Sequence, residues 1–133
     1  MLIGELAKRT GCDTATIRFY ERERLLPAPG RSEAGYRLYS QEHDTRLRFI
    51  LRCRQLGMRL HEIRQLQELQ THPNRACDDI DALLERHIAL VRQRITALNE
   101  LEIKLHELRG CCRQKTKVGE CGILTALTLP GAM

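Results

Sequence analysis

From Asp79 to Leu108 the chain contains neither glycine nor proline, and its apolar residues fall on a helical stripe. Leu84, Ile88, Val91, Ile95 and Leu98 alternate steps of four and three; Leu101, Leu105 and Leu108 follow after one three-residue step that shifts the phase. A single helix of about 29 residues would be ~44 Å long at ~1.5 Å per residue. In a chain of 133 residues little else remains to cover such a stripe. The pattern therefore predicts a dimerisation helix that pairs with a second copy, and periodicity alone does not set the direction of that partner. Low aromatic content (4%) and high charge (29%) suit the same mainly α reading.

The segments ahead of this helix are shorter. Ile3, Leu6 and Ala7 lie on one face of a short helix that Gly11 ends. Asp13 or Thr14 can cap a second helix, with Ile17 and Tyr20 on its buried side. Two short helices joined at a glycine read as helix-turn-helix. Pro27, Pro29, Gly30 and Gly35 then exclude helix, whereas YRLY alternates like a strand, so a small hairpin, or wing, follows. A third helix carries Leu47, Ile50, Leu51 and Leu56 up to Gly57, and a fourth carries Leu60, Ile63 and Leu66. This divides the chain into a winged helix-turn-helix domain with its following helix pair (1–70), a linker (71–78), the dimerisation helix (79–109) and a loop with a short tail (110–133).

Charge is uneven. Residues 1–70 hold 13 Lys/Arg against 9 Asp/Glu, whereas 71–133 hold 9 against 8. A basic N-terminal half suits a polyanionic partner. No apolar run approaches the ~20 residues that span a bilayer, so no membrane association is expected. Lys8 and Arg9 interrupt any signal-peptide core, and a cytoplasmic protein is expected. In that compartment the six cysteines stay reduced, and clustered ones serve more often as ligands than as staples.

Cys12 and Cys53 stand alone and are expected to pack. Cys112 and Cys121 bracket a loop rich in Lys, Gly and Thr, long enough to wrap an ion. Two thiolates complete neither a tetrahedral nor a trigonal site for a divalent metal, so a further ligand is needed. Cys77 is the candidate, but it lies just before the long helix and Cys112 just after it. Within one chain the helix would hold them ~44 Å apart.

The combination of IGELAKRTG, TIRFYE, the LLP turn, RLYS and RCRQLGMRLHEIRQL resembles the MerR family of transcriptional activators, over nearly the whole chain. The resemblance implies a homodimer joined by an antiparallel coiled coil of the long helices, with a DNA-binding domain at each end. It further implies binding to promoter DNA whose two recognition elements are set too far apart. On binding its ligand, such a dimer bends and untwists the spacer so that RNA polymerase engages both elements, a mechanism that acts through DNA deformation.

Carried onto this sequence, the family motif puts Arg18 and Tyr20 on the recognition helix with Thr16 beside them. Arg18 is the candidate for a base edge, because a guanidinium can make two hydrogen bonds to guanine. Tyr36 and Arg37 on the wing, Arg31 before it and Arg54 on the third helix are candidates for phosphates. The competing reading pairs these arginines with Glu21, Glu23, Glu42 and Asp44. Where the family usually has two tyrosines, this chain has Phe19 and Tyr20.

An antiparallel dimer also completes the sulfur set, by bringing Cys77 of one chain to Cys112 and Cys121 of the other. Cys77 falls at a helix N-terminus, which favours a thiolate. Three thiolates around a divalent ion leave one net negative charge, which Arg113, Lys115 and Lys117 could offset. Copper and other monovalent-ion sensors of the family carry serine where this chain has Cys77, so the resemblance points to a divalent ion. The Cys111–Cys112 pair resembles the zinc sensors, whose extra histidine is replaced here by Thr116. A sulfur-only site suits cadmium(II) or lead(II), with zinc(II) and mercury(II) as alternatives. Cys111 is a possible fourth sulfur or a spectator; His72 and His106 are expected at the surface rather than at the site, and His87 lies on the long helix beside the apolar stripe.

Two rival readings keep part of this assignment. In a thiol redox-sensing regulator Cys112 and Cys121 would form a disulfide; a metal-sequestering protein would have no use for the winged helix. An enzyme is not expected, because the sequence offers no nucleophile–base pair, phosphate loop or carboxylate dyad.

Overall fold

The computed structural model describes residues 1–112 and 117–130. Helices dominate: α1 (Ile3–Thr10), α2 (Thr14–Arg22), α3 (Gln41–Gln55), α4 (Leu60–Gln70), α5 (Asp78–Gly110) and α6 (Gly122–Thr128). The sheet of the described residues is an antiparallel pair, β1 (Gly30–Arg31) and β2 (Arg37–Leu38), in register Gly30 to Leu38 and Arg31 to Arg37. The chain divides into two compact units, Met1–Leu83 and Leu84–Met133.

In the first unit the helix boundaries have local causes. Gly11 ends α1 in the left-handed conformation (φ 72°), and its N–H reaches the Ala7 carbonyl at 2.9 Å. Two residues on, Asp13 caps α2 by accepting the Thr16 N–H at 2.7 Å, which decides between the two expected caps. The Ser40 N–H donates to His43 Nδ1 (3.1 Å) at the start of α3, and the Arg59 N–H donates to Glu62 Oε1 (3.0 Å) at the start of α4. Leu6, Ile17, Leu25, Leu47, Ile50 and Ile63 are completely enclosed at the centre of this unit.

The core also takes Cys12 and Cys53, the two cysteines expected to pack. Burial pushes both thiols up from their ordinary pKa, and the neighbouring Asp13 charge raises Cys12 further. The wing is tied to the chain start: the Met1 ammonium donates to the Tyr39 carbonyl and the Tyr39 N–H to the Met1 carbonyl, both at 2.8 Å.

The second unit holds most of α5 and all of α6. At 33 residues α5 extends one residue beyond the expected helix at each end. Along its stripe Leu84, Ile88, Val91, Ile95, Leu98, Leu101 and Leu105 stay between 37% and 64% exposed, the burial of single-stranded rather than packed helix. The tail contains a 3-10 turn (Val118–Glu120) and α6, neither of which the residue pattern announced. Leu101, Lys104, Leu105, Glu107 and Leu108 of α5, Cys111 just after it and Ala126 of α6 line a groove of about 360 Å³. Among the described residues no helix is long and apolar enough to cross a membrane.

Candidate nucleic-acid interface and metal centre

Helix α2 turns Ile17 and Tyr20 into the core and leaves Arg18 exposed, with Thr16 half-buried. Tyr20 differs from the other DNA candidates. Its ring is a core ring, 5% exposed, and its hydroxyl lies beside the Arg54 guanidinium. Burial raises the Tyr20 pKa, and Arg54 works against that rise. Arg54 also donates to the Met58 carbonyl (3.0 Å), so it ties the end of α3 to α2. The neighbouring Phe19 is the partly exposed ring, 5.6 Å from Tyr20.

On the wing, Tyr36 is 65% exposed. Arg31 donates to the Gly35 carbonyl (3.0 Å), holding the hairpin turn in which Gly35 adopts φ 84°. Arg37 reaches Glu21 at 3.5 Å, and the Tyr39 hydroxyl donates to the same carboxylate. Burial, then the hydrogen bond and charge of Glu21, push the Tyr39 pKa up to about 12. Glu21 therefore docks the wing on α2; in the sequence it stood out only as one possible arginine partner. The other acids foreseen as partners take different arginines: Glu23 pairs with Arg64, Glu42 with Arg46, and Asp44 with Arg48 and Arg9. Among the described residues no ion pair involves Arg18, Arg31 or Arg54.

The cysteines of the second group occupy the two ends of α5. Cys77 is exposed, and its carbonyl accepts the Asp81 N–H (3.0 Å), so it stands immediately before the first turn. Asp78, Asp79 and Asp81 share that turn, where negative charge suits the helix dipole. Beyond the other end, the Cys111 thiol is exposed and points back to the Glu107 carbonyl at 3.6 Å. The 33 residues of α5 correspond to about 50 Å at ~1.5 Å per residue.

Cys112 and Cys121 are brought together, close enough for each thiol to act on the other. Cys121 immediately precedes α6. The backbone N–H groups of Leu124 and then Ile123 hold its pKa below the usual thiol value, though neither forms a full capping bond. Partial burial, followed by the Cys121 charge and hydrogen bond, holds the Cys112 thiol above that value. Two neighbouring sulfurs are a soft donor set suited to a soft ion. Among the described residues, no group of three or more His, Cys, Asp or Glu converges within the single chain. Lys117 is exposed; Arg113, Lys115 and Thr116 lie outside the described residues. His72 and His106 are exposed as expected, and His87, beside the apolar stripe, is buried at 6% exposure.

Residues 1–70 match the family described as MerR HTH family regulatory protein, and 45–108 match that described as MerR, DNA binding. The chain belongs to the MerR family. Among curated members it is 43% identical to the HTH-type transcriptional regulator ZntR homolog of Haemophilus influenzae, covering 82% of this chain and 81% of that one. Two solved structures resemble it closely. The PbrR transcription regulator of Ralstonia metallidurans, in complex with lead(II), is 48% identical with a TM-score of 0.82, over 96% of this chain and 98% of that one. The dual-function regulator MerR of Bacillus megaterium, in complex with mercury(II), is 34% identical with a TM-score of 0.70, over 97% and 100%. The MerR fold expected from the sequence, a winged helix-turn-helix followed by a long helix, is the fold found.

Proposed function

We propose that this MerR-family chain is a homodimeric, metal-responsive transcriptional regulator whose effector is a soft divalent ion, cadmium(II) or lead(II). The observation that carries this reading is the Cys112–Cys121 thiol pair beyond one end of α5, with Cys77 before the other end. An antiparallel pair of α5 helices would close two identical three-sulfur sites, each built from Cys77 of one protomer and Cys112 and Cys121 of its partner. The exposed stripe from Leu84 to Leu105 is the surface such a pair would bury. Lead(II) and mercury(II) in the two solved relatives support a soft divalent effector, and a sulfur-only donor set favours cadmium(II) and lead(II). The resident thiols hold the ion; Arg18 reads a base edge, while Arg31, Tyr36, Arg37 and Arg54 position the head on phosphates. Loading the site changes how the dimer deforms its promoter, so that RNA polymerase engages both recognition elements and resistance or efflux genes are transcribed.

The test is an anaerobic titration of the reduced protein, in the presence of its promoter DNA, with cadmium(II), lead(II), zinc(II), mercury(II) and copper(I). Thiolate-to-metal charge-transfer absorbance is read beside DNA affinity. Wild type is expected to saturate at one divalent ion per chain and to keep its DNA in both states. Cys112→Ser should lose the absorbance band and keep the DNA. Copper(I) outcompeting every divalent ion, or a Cys112→Ser protein that binds cadmium(II) and lead(II) as wild type does, would contradict the reading.

A further inference from the structure

At the first residue of α6 a backbone runs closer to another backbone than any side chain permits. A Cβ on Gly122 would lie 2.1 Å from the Cys111 carbonyl oxygen and 3.1 Å from its carbonyl carbon. The obstacle is main chain, so rotating a side chain does not relieve it. Gly122 is not among the glycines with positive φ, so the requirement is for space and not for an unusual conformation. Helix propensity points the other way, because alanine is a better helix former than glycine.

The close approach has a particular place in the chain. Cys111 immediately precedes Cys112, and Gly122 immediately follows Cys121, so the contact closes the neck of the loop that the two sulfurs bracket. Given the metal-responsive reading, on which this inference rests, we infer that Gly122 is a positioning residue for the sulfur pair. It sets the Cys112–Cys121 spacing through the Cys111 carbonyl before the ion arrives. Donors held in place in advance lose less freedom on binding, and losing a group that orients a ligand typically costs about 10- to 100-fold in metal affinity. Cys111 then serves through its backbone carbonyl, whatever its thiol does.

Gly119 provides the control. It lies in the same loop, and a Cβ there would meet nothing within 4 Å among the described residues. Gly122→Ala and Gly119→Ala dimers are compared with wild type in two assays. One is cadmium(II) release to excess chelator; the other, with no metal present, is diamide-driven closure of the Cys112–Cys121 disulfide, followed by peptide mapping. Gly119→Ala is expected to match wild type in both. Gly122→Ala should release cadmium(II) about 10- to 100-fold faster, the range typical when a ligand-orienting group is lost, and should close its disulfide more slowly. Its dimer mass and DNA affinity should not change. Gly122→Ala behaving as wild type in both assays overturns the inference, and so does loss of the dimer in that variant, which would make Gly122 a fold residue. Failure of wild type to bind cadmium(II) would instead sink the functional reading, while the metal-free assay would still judge the spacing.

Discussion

Glu21 is where the wing meets the recognition helix: one carboxylate receives the Tyr39 hydroxyl and sits 3.5 Å from the Arg37 guanidinium. Burial, and then the hydrogen bond that only the neutral phenol can donate, favour protonated Tyr39 and lift its pKa from 10.0 to about 12. A group whose folded pKa is raised contributes fully below its unfolded value and loses that contribution as pH rises through the folded one. The urea midpoint of wild type should therefore fall more steeply than that of Tyr39→Phe between pH 10.0 and about 12. Near neutrality Tyr39→Phe should cost about 1.5–3 kcal/mol, the worth of a hydrogen bond to a charged group. Parallel pH profiles for the two proteins would contradict the assignment. This contact was not legible beforehand. Strand alternation in YRLY puts Tyr36 and Tyr39 on opposite faces without saying which faces inward, and the answer depends on Glu21, 18 residues earlier in the chain. Arg18 was legible, because Ile17 and Tyr20 claim the core face of α2 and leave it outside.

Among the elements, α5 was read almost to its ends because its signal is long and repeats at a helical period with no breaker inside. The short elements behave differently. The wing strands are two residues each, and were found through the short alternation of YRLY together with the glycines and prolines around it. The seven-residue α6 went unread because so short a segment gives too few turns for a helical period to show. The same difference in scale applies to what α5 does: Ile95, near its middle, is 53% exposed in the single chain. Burying such a side chain is worth roughly 1.5–3 kcal/mol, and a charge in its place must be desolvated. Ile95→Glu is thus expected to sediment as a monomer at micromolar concentration with its winged head still folded by circular dichroism. A variant that stays dimeric would place the partner elsewhere than on this stripe.

At the scale of the whole molecule, the head and the sulfur pair are each contained in one chain, while the proposed metal centre is not. The sequence suggested the proposed ligand set because cysteines flank both ends of an uninterrupted helix, whose length separates them. It did not carry the neck contact at Gly122 or the backbone N–H groups facing Cys121, since both depend on how the loop returns to the end of α5. The claim that most needs testing is that each site is shared between protomers. A heterodimer of one Cys77→Ser chain and one Cys112→Ser, Cys121→Ser chain separates the possibilities by stoichiometry. If the sites are shared, each parent homodimer binds no cadmium(II) tightly, and the mixed dimer regains one ion, held by the intact Cys77 of one chain and the intact Cys112 and Cys121 of the other. A mixed dimer that binds no ion, or a Cys77→Ser homodimer that binds as tightly as wild type, would contradict the shared centre.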